Sequence, residues 1–138
     1  MRRNLIAWAG YFAFVALAVA LSWHDGITRF EGAMGVGKGA VWLAWLLFTA
    51  YAFNCSQHAN IFKSLGRMAQ LYWGRQVGID LYLGVTLFLC VVYLHAGALV
   101  FFLWLVPTLL FANLATLLFV AIHFEALVTR LWPAAALL

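Results

Sequence analysis

Charge is scarce in this chain. Lysine and arginine number 8 and aspartate and glutamate 4, so 9% of the 138 residues are charged while 67% are hydrophobic. That scarcity excludes a water-soluble domain. A fold of this length leaves much of its surface in solvent, and the polar side chains here are too few to cover it. Lipid as the solvent removes the difficulty. Cysteine is scarce too. Cys55 and Cys90 are the two present, each within or beside an apolar stretch, so they read as small hydrophobes and not as a disulfide framework. Linkers, low-complexity tails and internal repeats are missing, and one transmembrane domain over 1–138 is expected.

Catalytic motifs are also lacking. No serine sits in a glycine-framed turn, and Ser56 and His58 do not share a helix face. No H-x₃-H metal spacing occurs. The run Gly32 to Gly39 nearly matches a phosphate-binding loop, but that motif needs Ser or Thr where Gly39 stands, and a strand before it. A nucleotide is therefore not expected. The net charge of +4 would suit nucleic acid, but the basic residues fall in short segments between apolar runs, so no nucleic-acid partner is expected either.

What is present is a set of apolar runs of helical length. About 20 residues cross a bilayer, and the runs give spans at about 5–23, 40–58, 77–95 and 100–126. They are too long and too uniformly apolar for barrel strands. The first run follows Arg2 and Arg3 and ends near Ala18-Val19-Ala20, the form of a secretory signal; it is read here as a retained span. Between spans two and three, Ile61, Phe62, Leu65, Met68 and Ala69 recur at helical spacing beside Lys63, Arg67 and Arg75. That pattern predicts a short amphipathic segment in the interface, its basic residues on lipid headgroups. The turn between spans three and four falls at Gly97 or before Pro107, and a turn near Ala96–Leu99 fits better.

The basic residues then set the orientation. With the N-terminus inside, Arg2, Arg3, Lys63, Arg67, Arg75 and Arg130 are inner, and Arg29 and Lys38 outer. Six against two puts both termini in the cytoplasm by the positive-inside rule. The expectation is an all-α integral membrane protein, a four-helix bundle of the bacterial inner membrane.

With that topology the polar residues form layers. Asn54, His58, Asp80, His123 and Glu125 fall on the cytoplasmic side, and His24 and His95 on the outer side. A carboxylate at the bilayer centre costs about 2.5–3.5 kcal/mol. Asn54 and His58 share one helix face, so they are expected to turn inward, with Asp80 within hydrogen-bond or one-water reach of one of them. Three functional readings follow. The first is a non-enzymatic accessory subunit that associates with other membrane subunits or with itself. The second is a b-type haem or pigment carrier using the pairs His58/His123 and His24/His95. The third is a small oligomeric transporter or channel with Asp80 as coupling carboxylate. A metal centre of His58, Asp80, His123 and Glu125 lacks the usual spacing and is not expected.

Overall fold

The computed structural model describes residues 2–131, and within them every regular element is helical. Helix α1 (Arg2–Leu21) is followed by a one-turn 3₁₀ helix (Asp25–Thr28) and then α2 (Gly32–His58). Helix α3 (Ile61–Gln70) is short, and α4 (Tyr72–Phe111) carries a break in its middle. Helices α5 (Asn113–Ile122) and α6 (Phe124–Leu131) complete the described chain. Three of these helices, α1, α2 and α4, are long and apolar enough to cross a membrane; α5 and α6 would make a fourth if the pair, bent by 80°, were one span. The protein is an integral membrane protein on that ground.

The second span is longer than its apolar run. Gly35, Gly37, Lys38 and Gly39 lie inside α2 and not in a loop. Gly35 is needed because a Cβ there would collide with the backbone of Phe30, so the 22–31 connection folds tightly onto the helix. At the other end, the buried Asn4 amide donates to the carbonyls of Ser56 (2.7 Å) and Ala59 (3.1 Å). These bonds tie the start of α1 to the end of α2, where helix carbonyls lack internal partners.

The expected amphipathic segment is α3. The Asn60 side chain caps it, accepting from the amides of Phe62 (3.0 Å) and Lys63 (3.3 Å). Phe62, Leu65 and Met68 line one face and are all exposed. An exposed apolar face suits a helix lying in the interface.

Two reversals shape the second half. Gly97 has φ 83° and ψ 179°, a conformation essentially reserved for glycine. Pro107 lies within the following helical arm, so the turn is at Gly97. The chain doubles back there. The Tyr82 hydroxyl donates to the Leu109 carbonyl at 3.2 Å across 27 positions, whereas a straight helix would hold them about 40 Å apart. The second reversal is at Ala112, φ 40°. Trp104 before it and Phe119 after it stack edge to face at 5.0 Å, and His95 meets His123 at 5.4 Å. The return arm (98–111) and α5 therefore form a hairpin. The expected fourth span, 100–126, is not one continuous helix. It breaks at Ala112 and again at His123.

The hairpin tip is deep in the bundle. The Phe111 ring packs on Tyr11 (4.5 Å) and Trp8 (5.9 Å), and the Tyr11 hydroxyl lies 3.4 Å from the Leu114 carbonyl. Tyr11 is seven residues from Asn4 and ten from Leu21, near the middle of α1. Helix α5, apolar except for Asn113 and Thr116, fills the core: Ala115, Leu118, Phe119 and Ala121 are wholly buried. Ala112 holds a positive φ without being glycine, a strain of about 1–3 kcal/mol. Ala112→Gly should therefore raise the unfolding free energy by about 1 kcal/mol despite glycine's greater unfolded-state entropy, while Ala112→Val should lower it. Thermal unfolding in one detergent measures both; equal midpoints for the two variants would refute the strained tip.

Candidate functional site

The polar side chains collect at the two ends of the bundle, with a small group between. The first end holds Asn4, the last turn of α2, helix α3 and the start of α4. Asn54 and His58 are exposed there, and the His58 ring Nδ1 lies 2.9 Å from the Asn54 backbone oxygen. They do not face the bundle interior as their shared helix face led one to expect. The inward positions of this turn go to Phe53, which stacks on Trp8 (5.3 Å), and to Ser56, whose carbonyl Asn4 occupies. Asp80 is exposed as well, and no hydrogen bond or ion pair among the described residues joins it to Asn54 or His58. Its helical position is roughly opposite Val85, Leu89 and Val92, which face the core. Lys63, Arg67 and Arg75 are exposed on this end too, with the Arg75 guanidinium 4.6 Å from the Tyr72 ring centroid.

The middle group is Tyr11, Trp45 and Thr49, all buried. The Trp45 indole donates to the Tyr11 hydroxyl at 3.0 Å, and that hydroxyl faces the Leu114 carbonyl near the hairpin tip. A hydroxyl that both donates and accepts suits this place, since lipid offers no partner to backbone at that depth.

The second end holds the densest cluster. Lys38 of α2 is 1% exposed, and its ammonium donates to the Glu125 carboxylate (3.0 Å) and the Arg29 carbonyl (3.1 Å). It also lies 5.2 Å from the Phe30 ring centroid. Beside this pair His95 and His123 stack at 5.4 Å and Arg130 approaches the His95 Nδ1 at 3.4 Å, while His24 is exposed with its ring Nδ1 2.7 Å from the Ser22 carbonyl oxygen. The cluster thus sets the Lys38–Glu125 ion pair beside the His95, His123 and Arg130 group. The arrangement binds α6 to α2 through the Lys38–Glu125 pair; among the described residues no nucleophile with an adjacent base occurs in it.

The cytoplasmic polar layer read from the sequence is therefore divided. Lys38 and His58 lie 20 positions apart on α2, about 30 Å, so Glu125, on Lys38, is at the far end from Asn54 and His58. His123 lies with Glu125 and not with His58. Glu125 takes Lys38 as its partner in place of Arg130, which turns to His95. Comparison with family models, curated proteins and solved structures finds no match to this chain. The site is accordingly interpreted from its own geometry.

That geometry does not fit haem b. The pair His58/His123 is not formed, and the His24/His95 pair gives way to His95/His123. A porphyrin must lie between two imidazoles that face it. These two rings sit edge to face at 68°, with Phe119 stacked 4.4 Å from His123 and Arg130 on His95, which leaves no slot. His58 and Asp80 lie at one end and His123 and Glu125 at the other, and no group of three His, Cys, Asp or Glu among the described residues is arranged to hold a metal ion. Lys38 is the residue the sequence reading missed. A second span begun at residue 40 leaves it in the outer segment, whereas α2 begins at Gly32 and places the lysine inside the helix, where it takes an acid as partner.

Proposed function

We propose that the protein is a non-enzymatic membrane subunit that works by associating with other membrane helices, either a second copy or another subunit. The observation that carries this reading is Asp80. It lies about 12 Å along α4 from Tyr72 and about 7.5 Å beyond Arg75, on the face directed away from the core, and it is exposed without a hydrogen-bond partner among the described residues. A carboxylate there faces lipid in the isolated chain, and lipid cannot hydrogen-bond it. A donor from a neighbouring helix would offset that cost. The abundant exposed apolar surface alone would say nothing, since lipid covers it equally well.

The test is native mass spectrometry or analytical ultracentrifugation in mild detergent. Wild type should run as an oligomer or with a co-purifying subunit, and Asp80→Asn should weaken that association about tenfold. A strictly monomeric wild-type particle with no partner ends the proposal.

The same reading includes a topology. We infer that residues 98–122 enter the bilayer and return to the same side. The tip lies beside Tyr11 near the middle of α1, and His123 returns to the level of His95. This supports three spans and a re-entrant hairpin, with α6 on the side of the 22–31 connection and opposite the start of α1. Irregular backbone at such depth is tolerated when protein surrounds it, as Tyr11 and Phe111 do here. Moving Arg130 outside changes the basic count to five inner (Arg2, Arg3, Lys63, Arg67, Arg75) against three outer (Arg29, Lys38, Arg130), so the N-terminus stays cytoplasmic.

A further inference from the structure

We infer that the groove where α3 meets α4 is a binding site for one anionic phospholipid, with Arg75 holding its phosphate. The groove has a volume of about 610 Å³ and is lined by Ala69 of α3 and by Arg75, Gly78, Ile79, Tyr82 and Thr86 of α4, among others. One end is charged and the rest is almost wholly apolar, which is the distribution of charge along a lipid.

Its length is also right. Arg75 to Thr86 spans 11 residues, about 16 Å along a helix, close to half of a hydrocarbon core about 30 Å thick. The groove therefore runs the depth of one leaflet and opens sideways where a lipid would lie. Arg75 is exposed and in no ion pair among the described residues; its stacking on Tyr72 orients the guanidinium and leaves its donors available to a phosphate. Asp80, the nearest acid in the sequence, sits about 140° around the helix from Arg75 and does not line the groove. Lys63 and Arg67, four apart on α3, add positive charge on the same side. Gly78 gives the groove its depth, because a Cβ there would meet nothing within 4 Å. The site is independent of the Asp80 face and of any partner that face engages.

The experiment uses the full chain in nanodiscs containing phosphatidylglycerol or phosphatidylcholine, with retained lipid counted by native mass spectrometry after extraction. One phosphatidylglycerol per chain should persist, preferred about tenfold over phosphatidylcholine. Arg75→Gln should reduce retention about fivefold, the effect of one basic residue near the surface, and Arg75→Lys less. Gly78→Leu, whose Cβ meets nothing within 4 Å, fills the groove and should abolish retention of the bound lipid while leaving thermal unfolding within a few degrees of wild type. Equal retention of both lipids would overturn the site, as would wild-type retention in both the Arg75→Gln and Gly78→Leu chains. Competition by free glycerol phosphate as strong as that by a short-chain phosphatidylglycerol would also overturn it, because the apolar groove would then contribute nothing.

Discussion

Replacing Glu125 with Gln should lower the stability of the protein by about 3 kcal/mol, and replacing Lys38 with Met should cost about 1 kcal/mol or less. The asymmetry follows from burial. Lys38 is 1% exposed and Glu125 38%. Removing the carboxylate takes the Glu125 acceptor from an ammonium held out of water that also donates to the Arg29 carbonyl and lies against the Phe30 ring. Breaking a buried pair from one side costs about 3–5 kcal/mol, and the partial exposure of Glu125 puts this case at the lower end. Removing the lysine leaves a carboxylate that can reach solvent, and a methionine of similar length keeps the packing. The double substitution should be no less stable than Lys38→Met alone, since nothing charged is then stranded. In thermal unfolding, Glu125→Gln should lower the midpoint by on the order of 10 °C. Equal losses in the two single variants, or a larger loss for Lys38→Met, would show that the ion pair is solvated.

A cysteine placed at Leu131 should react with a membrane-impermeant maleimide from the outer face of intact cells. The label should follow Trp23→Cys in the 22–31 connection, and a cysteine at Arg67 on α3 should react only after the membrane is opened. All three positions are exposed, and the background would carry serine at Cys55 and Cys90. The result is close to all-or-none because the two sides are separated by the bilayer. Four spans would place Leu131 with Arg67; three spans and a returning hairpin place it with Trp23. The physical argument for the second outcome is the pair of reversals at Gly97 and Ala112, each closed by contacts that a continuous span could not make. Labelling of Leu131→Cys together with Arg67→Cys would refute the hairpin.

Much of the architecture was legible in the residues. A chain with so few charges must use lipid as its solvent, and the lengths of its apolar runs make the elements helices. The 61–70 segment showed its amphipathic form through Phe62, Leu65 and Met68 against Lys63 and Arg67. Glycine at 97 marked the turn because few other residues adopt that backbone, whereas proline at 107 is compatible with a helix whose neighbouring groups compensate. These are local properties, and local sequence carries them.

The candidate site was legible only as a set of residue types. Asn54 and His58 share a face in any helix, but which face meets protein depends on what packs beside it, and Asn4, Trp8 and Phe53 had taken the inner one. The break at Ala112 carried no glycine or proline signal, since the backbone there is held by the packing of Phe111 and Trp104 and not by alanine's own preference. That break reverses α5, and with it the depth of His123 and Glu125. Composition and periodicity thus determined the solvent, the helices and the turn at Gly97. Only the tertiary structure decided which end of the bundle receives the second acid, because the partner that fixes it, Lys38, lies 87 positions away.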